Sequence, residues 1–253
     1  METLRDTRLI FGRQLRLSLR NPAWVIIGLI QPVLYLAFFG PLLVGVAGVP
    51  GFPPGNAWQV FVPGLLVQLG MFGAAFVGFG IIGEWRLGVL ERMRVTPVSR
   101  LALLLGRVLR DVLVLLLQAV VLVLAGVAFG LRAPLAGVLI GLGFVVLLAV
   151  SLASLSYAAG LWTRSEDAFA PLLNLIMMPL LLLSGILLPM SLAPGWLDAL
   201  SRANPFRWIV EAMREVFLGR YATVEVAAGL AVALALAVAS VAAGTRTFRR
   251  ENA

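Results

Sequence analysis

Acids and arginines crowd one stretch of an otherwise apolar sequence. Glu84, Arg86, Glu91, Arg92, Arg94 and Arg100 fall within residues 84–100, with Thr96-Pro97 between the last two arginines. Carboxylates beside guanidiniums can recognise a charged partner surface, or they can simply set the orientation of membrane spans. They cannot be completed into familiar hydrolytic or redox sites. The 253 residues contain no histidine, cysteine or lysine, so thiol, Schiff-base, Ser-His and Ser-Lys chemistry all lack a partner. The missing lysine also rules out a Walker A phosphate loop within this sequence. A second set, the amides of Gln31, Gln68, Gln118 and Asn174, offers uncharged donors and acceptors in apolar surroundings. Such amides either glue helices together or line a solute path, and both readings stay open from sequence. A third set, Pro189, Trp196, Asn204, Pro205, Glu211 and Arg214, punctuates the last polar segment.

The elements that must position these residues are membrane helices. Hydrophobic residues make up 61% of the chain, charged residues 13%, and the mean hydropathy is +1.01. A soluble domain carries about 25% charged residues, so the expected class is an all-α polytopic membrane protein. From Arg20 to Glu84 lie 63 uncharged residues, enough for two spans broken at Val49-Pro50-Gly51-Phe52-Pro53-Pro54-Gly55-Asn56. Further uncharged runs are Val112–Leu131, Ala133–Thr163, Ala168–Leu197 and Val226–Thr245. Six spans follow, at about 24–44, 60–83, 112–131, 135–161, 168–188 and 223–244. They form one transmembrane domain over 1–253. With the N-terminus inside, inner segments carry fifteen arginines and outer segments five, which predicts both termini in the cytoplasm. No leader peptide is expected, because residues 1–20 are polar and arginine-rich. The net charge of +8 is topology charge spread over loops, not a nucleic-acid surface.

Residues 1–23 are expected to hold an interfacial helix. Leu4, Phe11, Leu15 and Leu19 share one sector, and Arg5, Arg13, Arg16 and Arg20 another. Residues 84–111 are expected to form an inner helical elbow, since Thr96 before Pro97 ends one helix and Pro97 starts the next. Residues 189–221 form the outer counterpart, with a turn at Asn204-Pro205 and a short amphipathic helix from Phe206 to Leu218. That segment is either a structured surface loop or a re-entrant helix closing the outer end. Glycines 64, 70, 73, 78, 80 and 83 should let the second span approach its neighbours closely, and Gly229 should do so for the last.

Apart from Glu225 at the edge of the last one, the spans hold no Asp, Glu, Arg, Lys or His, which weighs against a proton- or sodium-coupled carrier. A stand-alone channel would need no ATP-binding partner. An intramembrane aspartyl protease would need two aspartates inside spans, whereas Asp6, Asp111, Asp167 and Asp198 lie at or outside span ends.

Two motifs carry a resemblance. The first is Glu84…Gly88-Val89-Leu90-Glu91-Arg92-Met93-Arg94-Val95-Thr96-Pro97-Val98-Ser99-Arg100, followed by Leu105-Gly106-Arg107. The second is Leu183-Ser184-Gly185-Ile186…Pro189…Leu192-Ala193-Pro194-Gly195-Trp196-Leu197…Asn204-Pro205-Phe206…Glu211-Ala212-Met213-Arg214. In this order the chain resembles the ABC-2 type exporter permeases, most of all the daunorubicin-resistance type. Val89 stands where threonine is common, and Arg107 where lysine is common. The resemblance implies that Glu84, Arg86, Glu91, Arg92, Arg94, Thr96, Pro97 and Arg100 form the coupling helix and its flanks against a separate P-loop ATP-binding subunit. It implies two such subunits and a second permease copy, either identical or a paralogue. ATP and Mg would be bound by the partner, with no cofactor or metal and no catalytic residue on this chain. It places Asn174 near the permease dimer interface and a lateral pathway, and Pro189–Leu218 as outer re-entrant helices. The expected setting is the lipid of a bacterial cytoplasmic membrane. The expected cargo is a lipophilic or amphiphilic drug-like molecule, moved outward.

Overall fold

The computed structural model describes residues 2–20, 23–88 and 100–250. Among them there are helices and turns and no strands. Five helical segments are long and apolar enough to cross a membrane: Val25–Gly45, Ala57–Arg86, Leu101–Ala128, Leu135–Thr163 and Val224–Phe248.

Helix α1, Glu2–Arg20, precedes the first span and packs along the start of α6, Arg100–Ala128. Sequence assigns its leucine sector to the membrane interface and leaves its contact with the bundle open. Ile10 and Gln14 are buried, while Leu4 is 82% exposed. Gly106 makes the approach possible, because a Cβ there would lie 2.7 Å from the Ile10 Cβ. Leu4 is left outside this contact, free to meet lipid.

The first span is α2, Ala23–Leu34, a π turn at Tyr35–Phe39, and α3, Gly40–Val46. Pro41 has no N–H for the Ala37 carbonyl, and the chain resolves the conflict by widening the preceding turn. The second span is α4, Ala57–Ala75, followed after a one-turn break by α5, Gly78–Arg86. Asn56 and Gln59 form a reciprocal capping box at the start of α4. The same two side chains donate to the Gly130 and Arg132 carbonyls, tying this end to the next hairpin. Residues Val60 through Met71 are continuously buried, which makes α4 the central helix. Two of its neighbours come close because glycine replaces a side chain: a Cβ on Gly64 would sit 2.7 Å from the Ile186 carbonyl, and one on Gly70 3.2 Å from Leu148 Cβ. Gly80 and Gly83 have nothing within 4 Å, so the expected close packing holds for the first part of the glycine series only.

The sequence boundaries for the elbow and third span need correction. Helix α6 begins at Arg100, so residues 100–111 are its first three turns and not part of a loop. Leu101 to Arg110 contains no helix breaker other than Gly106, and its charges find partners inside the fold, so nothing stops the helix there. The helix that holds the third span therefore also carries Arg107, Arg110 and Asp111, with Arg107 and Asp111 buried.

Helix α7, Leu135–Thr163, ends at Arg164 in the left-handed conformation, φ 51°. It is followed by α8, Glu166–Leu182, with Pro171 and Pro179 inside it. At 17 residues α8 is about 26 Å long, near the lower limit for a crossing. It stops six residues before the expected span end at 188, because the chain turns at Leu183 and Gly185 takes φ +75°. A 3₁₀ turn at Met190–Leu192, α9 at Gly195–Ser201 and α10 at Pro205–Phe217 follow. Helix α11, Val224–Arg250, closes the bundle against α7 and α10. Gly229 allows the α10 contact, as its Cβ would lie 2.4 Å from that of Ala212.

Candidate functional site

Two polar centres occupy opposite ends of the bundle, and the four amides lie between or beside them. The first centre surrounds the end of α5. Glu84 Oε2 meets Arg107 Nη2 at 2.5 Å, and Glu84 Oε1 accepts from Gln14 Nε2 at 3.1 Å. Arg107 is buried within α6 and Gln14 within the α1–α6 contact, so one carboxylate joins α1, α5 and α6. One turn further along α6, Tyr157 donates to Asp111 at 2.5 Å, with Arg110 Nη1 2.8 Å from the other carboxylate oxygen. This second pair fastens α6 to α7.

The neighbours of Glu84 on α5 reach the opposite side. The Arg164 guanidinium stacks over the Trp85 ring at 5.5 Å. Arg86 pairs with Glu166 in the first turn of α8 at 3.1 Å, with both side chains about half exposed. Three consecutive residues thus bond to α1 and α6, to the end of α7, and to the start of α8. Glu84 and Arg86, expected to flank a partner contact, have these partners within the chain. Glu91, Arg92, Arg94, Thr96 and Pro97 lie outside the described residues; Arg100 is the first residue of α6.

The second centre lies between α8, α9 and α10. Asn204 caps α10 by accepting from the Phe206 N–H, and its amide donates to the Leu180 carbonyl near the end of α8. Pro205 occupies the first helical position, as the turn-and-restart pattern predicts. Arg207 bridges Asp198 at 2.7 Å and Glu211 at 2.8 Å. Asp198 also pairs with Arg202 at 2.8 Å. Hydrogen bonds from Arg202, then Arg207, hold the Asp198 carboxyl below its ordinary value of 3.8. Two turns further along the same face of α10, Arg214 is buried and donates to the carbonyls of Val60 and Gly185. A cavity of about 500 Å³ opens beside it, lined by Val60, Pro189, Arg207, Glu211, Arg214 and Leu218, among others. Pro189 is buried; Trp196 is exposed, as suits an interfacial tryptophan. Helix α10 packs against α4, α7 and α11, so its backbone is covered by protein.

The amides do not converge. Gln118 is buried and donates to the Val25 carbonyl at 2.7 Å, seated in the notch that Gly28 leaves. It glues α6 to α2. Gln68 is buried in α4, and neither of its amide atoms has a hydrogen-bond partner. Gln31 lines an open apolar groove on the first span with Tyr35, Phe38 and Phe39. Asn174 is exposed on α8 and donates only to the Ala170 carbonyl of its own helix. Sequence reading missed Gln14, Arg107, Asp111, Tyr157 and Glu166. The only signal was the charge spacing Arg107, Arg110, Asp111 on one helical stretch; the partners on other helices leave no trace in sequence.

A bundle of several helices long and apolar enough to cross a membrane, with a charged hub at one end and a capped helix at the other, defines a multi-pass membrane protein. Residues 5–218 match the family described as ABC-2 type transporter, and the chain belongs to that family. It is 28% identical over 198 residues to the daunorubicin resistance ABC transporter permease protein DrrB1 of Streptomyces coeruleorubidus, covering 77% of this chain and 70% of that one. It is 26% identical over 200 residues to a protein of Cyanophora paradoxa named as transport permease ycf38, covering 78% and 69%. Over 164 residues it is 27% identical to the multidrug ABC transporter permease YbhR of Escherichia coli K12, covering 64% and 44%. Membership implies pairing with an ATP-binding subunit.

Proposed function

We propose that this chain is the permease subunit of an ATP-driven exporter that moves a lipophilic or amphiphilic molecule outward across a bacterial cytoplasmic membrane. The observation that carries the reading is the Glu84–Trp85–Arg86 hub. It stands between the end of α5 and residues 89–99, and each of its residues grips a different part of the bundle. A partner pushing on that segment moves α1, α6 and the α7–α8 junction together.

In this reading Glu91, Arg92, Arg94, Thr96, Pro97 and Arg100 dock on the ATP-binding subunit, while Glu84 and Arg86 relay the motion inward. Two permeases and two ATP-binding subunits form the assembly, and both permease termini lie on the ATP-binding side. This chain holds no cofactor; ATP and Mg belong to the partner. Helix α8 serves as a short sixth span, and α9–α10 form the re-entrant outer closure. Gln31 and Asn174, both exposed, line the path on the side of α2 and α8, and Gln118 holds helices together; Gln68, buried in α4, does not reach it. Apolar spans give little grip to a strongly charged cargo, and the drug-resistance names of relatives favour a lipophile. Glu91→Arg tests the docking role: ATP-driven export should be lost while folding and membrane insertion persist. Normal export by a well-folded Glu91→Arg protein would refute it.

A further inference from the structure

We propose that Arg214 is the positioning residue that latches the outer end closed, holding α10, the start of α4 and the end of α8 together through one guanidinium. The proposal rests on the permease reading above for its meaning in transport, but on geometry for the latch itself. Arg214 is 7% exposed. Its Nε donates to the Val60 carbonyl at 3.0 Å and its Nη2 to the Gly185 carbonyl at 2.7 Å. Among the described residues its bonds run to carbonyls and none to a carboxylate.

One acceptor lies inside α4 and the other in the turn after α8. Val60 lies in the first turn of α4, beside the Gln59 carbonyl that Pro63 cannot serve. Gly185 belongs to the turn after α8 and holds φ +75°. That turn rests directly on α4, since Gly64 has room for no side chain against Ile186. The end of α8 therefore cannot leave α4 without breaking the Gly185 bond. Breaking it would strand a buried cation unless water reaches it. The adjoining cavity of about 500 Å³ supplies that route, because Val60, Pro189 and Arg214 all line it. The outer end thus has two self-consistent states, one dry with Arg214 bonded to carbonyls and one open with Arg214 hydrated. Intermediate positions satisfy neither, which is the condition for a latch rather than a soft hinge.

The chain has no cysteine, so single cysteines report cleanly. Leu187, half-buried in the turn after α8, becomes L187C, and exposed Tyr221 becomes Y221C in a separate control protein. Each is reconstituted in liposomes with whatever ATP-binding subunit co-purifies, and labelled from outside by a membrane-impermeant maleimide without nucleotide. With R214Q, L187C should label at least tenfold faster at temperatures well below unfolding, and Y221C should be unchanged. R214K should give an intermediate rate, since ammonium can reach one carbonyl but not span both. A packing role alone would lower the melting temperature without changing the L187C rate, and that result overturns the proposal. If R214Q does not fold, R214K decides: labelling several-fold faster supports the latch, and the parental rate refutes it. Absence of a co-purifying ATP-binding subunit would count against the permease reading, while the labelling comparison would still read the latch.

Discussion

Glu84 and Arg107 are 23 residues apart in sequence and 2.5 Å apart in space, at the junction where three helices meet. The Arg107 side chain is 3% exposed and that of Glu84 is 23% exposed, so the pair closes the first turns of α6 against α5 more than it decorates the surface. Removing one partner should therefore cost far more than losing a surface ion pair. Breaking a buried pair costs about 3–5 kcal/mol, and the partial exposure of Glu84 lowers the expectation for Glu84→Ala to about 2–3 kcal/mol. Gln14→Ala removes one hydrogen bond and should cost about 1 kcal/mol. The joint change Glu84→Leu with Arg107→Met should recover stability without restoring partner-coupled ATP turnover. Unfolding titrations and ATPase assays on the reconstituted complex separate these outcomes.

Gln118 and Gly28 form a lock between α6 and α2. Gln118→Leu should destabilise by about 1 kcal/mol and leave transport of every cargo in place. Gly28→Ala puts a methyl 2.7 Å from Gln118 Nε2 and should also destabilise. In a Gln118→Ala background the same Gly28→Ala change should cost little. A double-mutant cycle on unfolding free energy reads this coupling directly, and additivity of the two changes would disprove the lock.

Asn174 is held by nothing beyond its own helix. Asn174→Ala should shift stability by no more than about 0.5 kcal/mol. If α8 faces the path, it should alter the ratio of transport rates among lipophilic cargoes while basal ATPase activity stays constant. Identical ratios in wild type and variant would remove Asn174 from the path.

Asp198 links the α8–α9–α10 cluster to pH. Its carboxyl is held below 3.8, so the folded state binds the proton less readily than the unfolded chain. The stabilisation is then fully present above that value and is lost as pH falls through the lower, folded value. The α9–α10 contact should be indifferent to outer pH between 7 and 5 and loosen only below about pH 4. Trp208 donates to the Arg202 carbonyl beside this cluster and serves as the reporter. Its emission should shift in that acid range in wild type, and Asp198→Asn should flatten the step.

Much of this protein was legible in its residues. Long uncharged runs specify helices because a backbone in lipid must satisfy its own hydrogen bonds. The α1 helix, the break at residues 47–56, the Asn204-Pro205 restart and the amphipathic α10 follow from local rules about proline, caps and periodicity. Those rules act within a few residues, so sequence carries them. A helix restarting at Pro97 is expected and α6 is described from Arg100; what the residues could not show is that its charges are paired inside the bundle. Gln14, Glu84 and Arg107 come from three different helices, as do Asp111 and Tyr157 from two. Whether a charge ends a membrane helix or is buried within it depends on what stands opposite, and only packing decides that. The same holds for the amides. Gln118 and Asn174 have similar chemistry and similar apolar flanks, yet one holds two helices together and the other faces outward, because Gly28 stands opposite the first and nothing stands opposite the second.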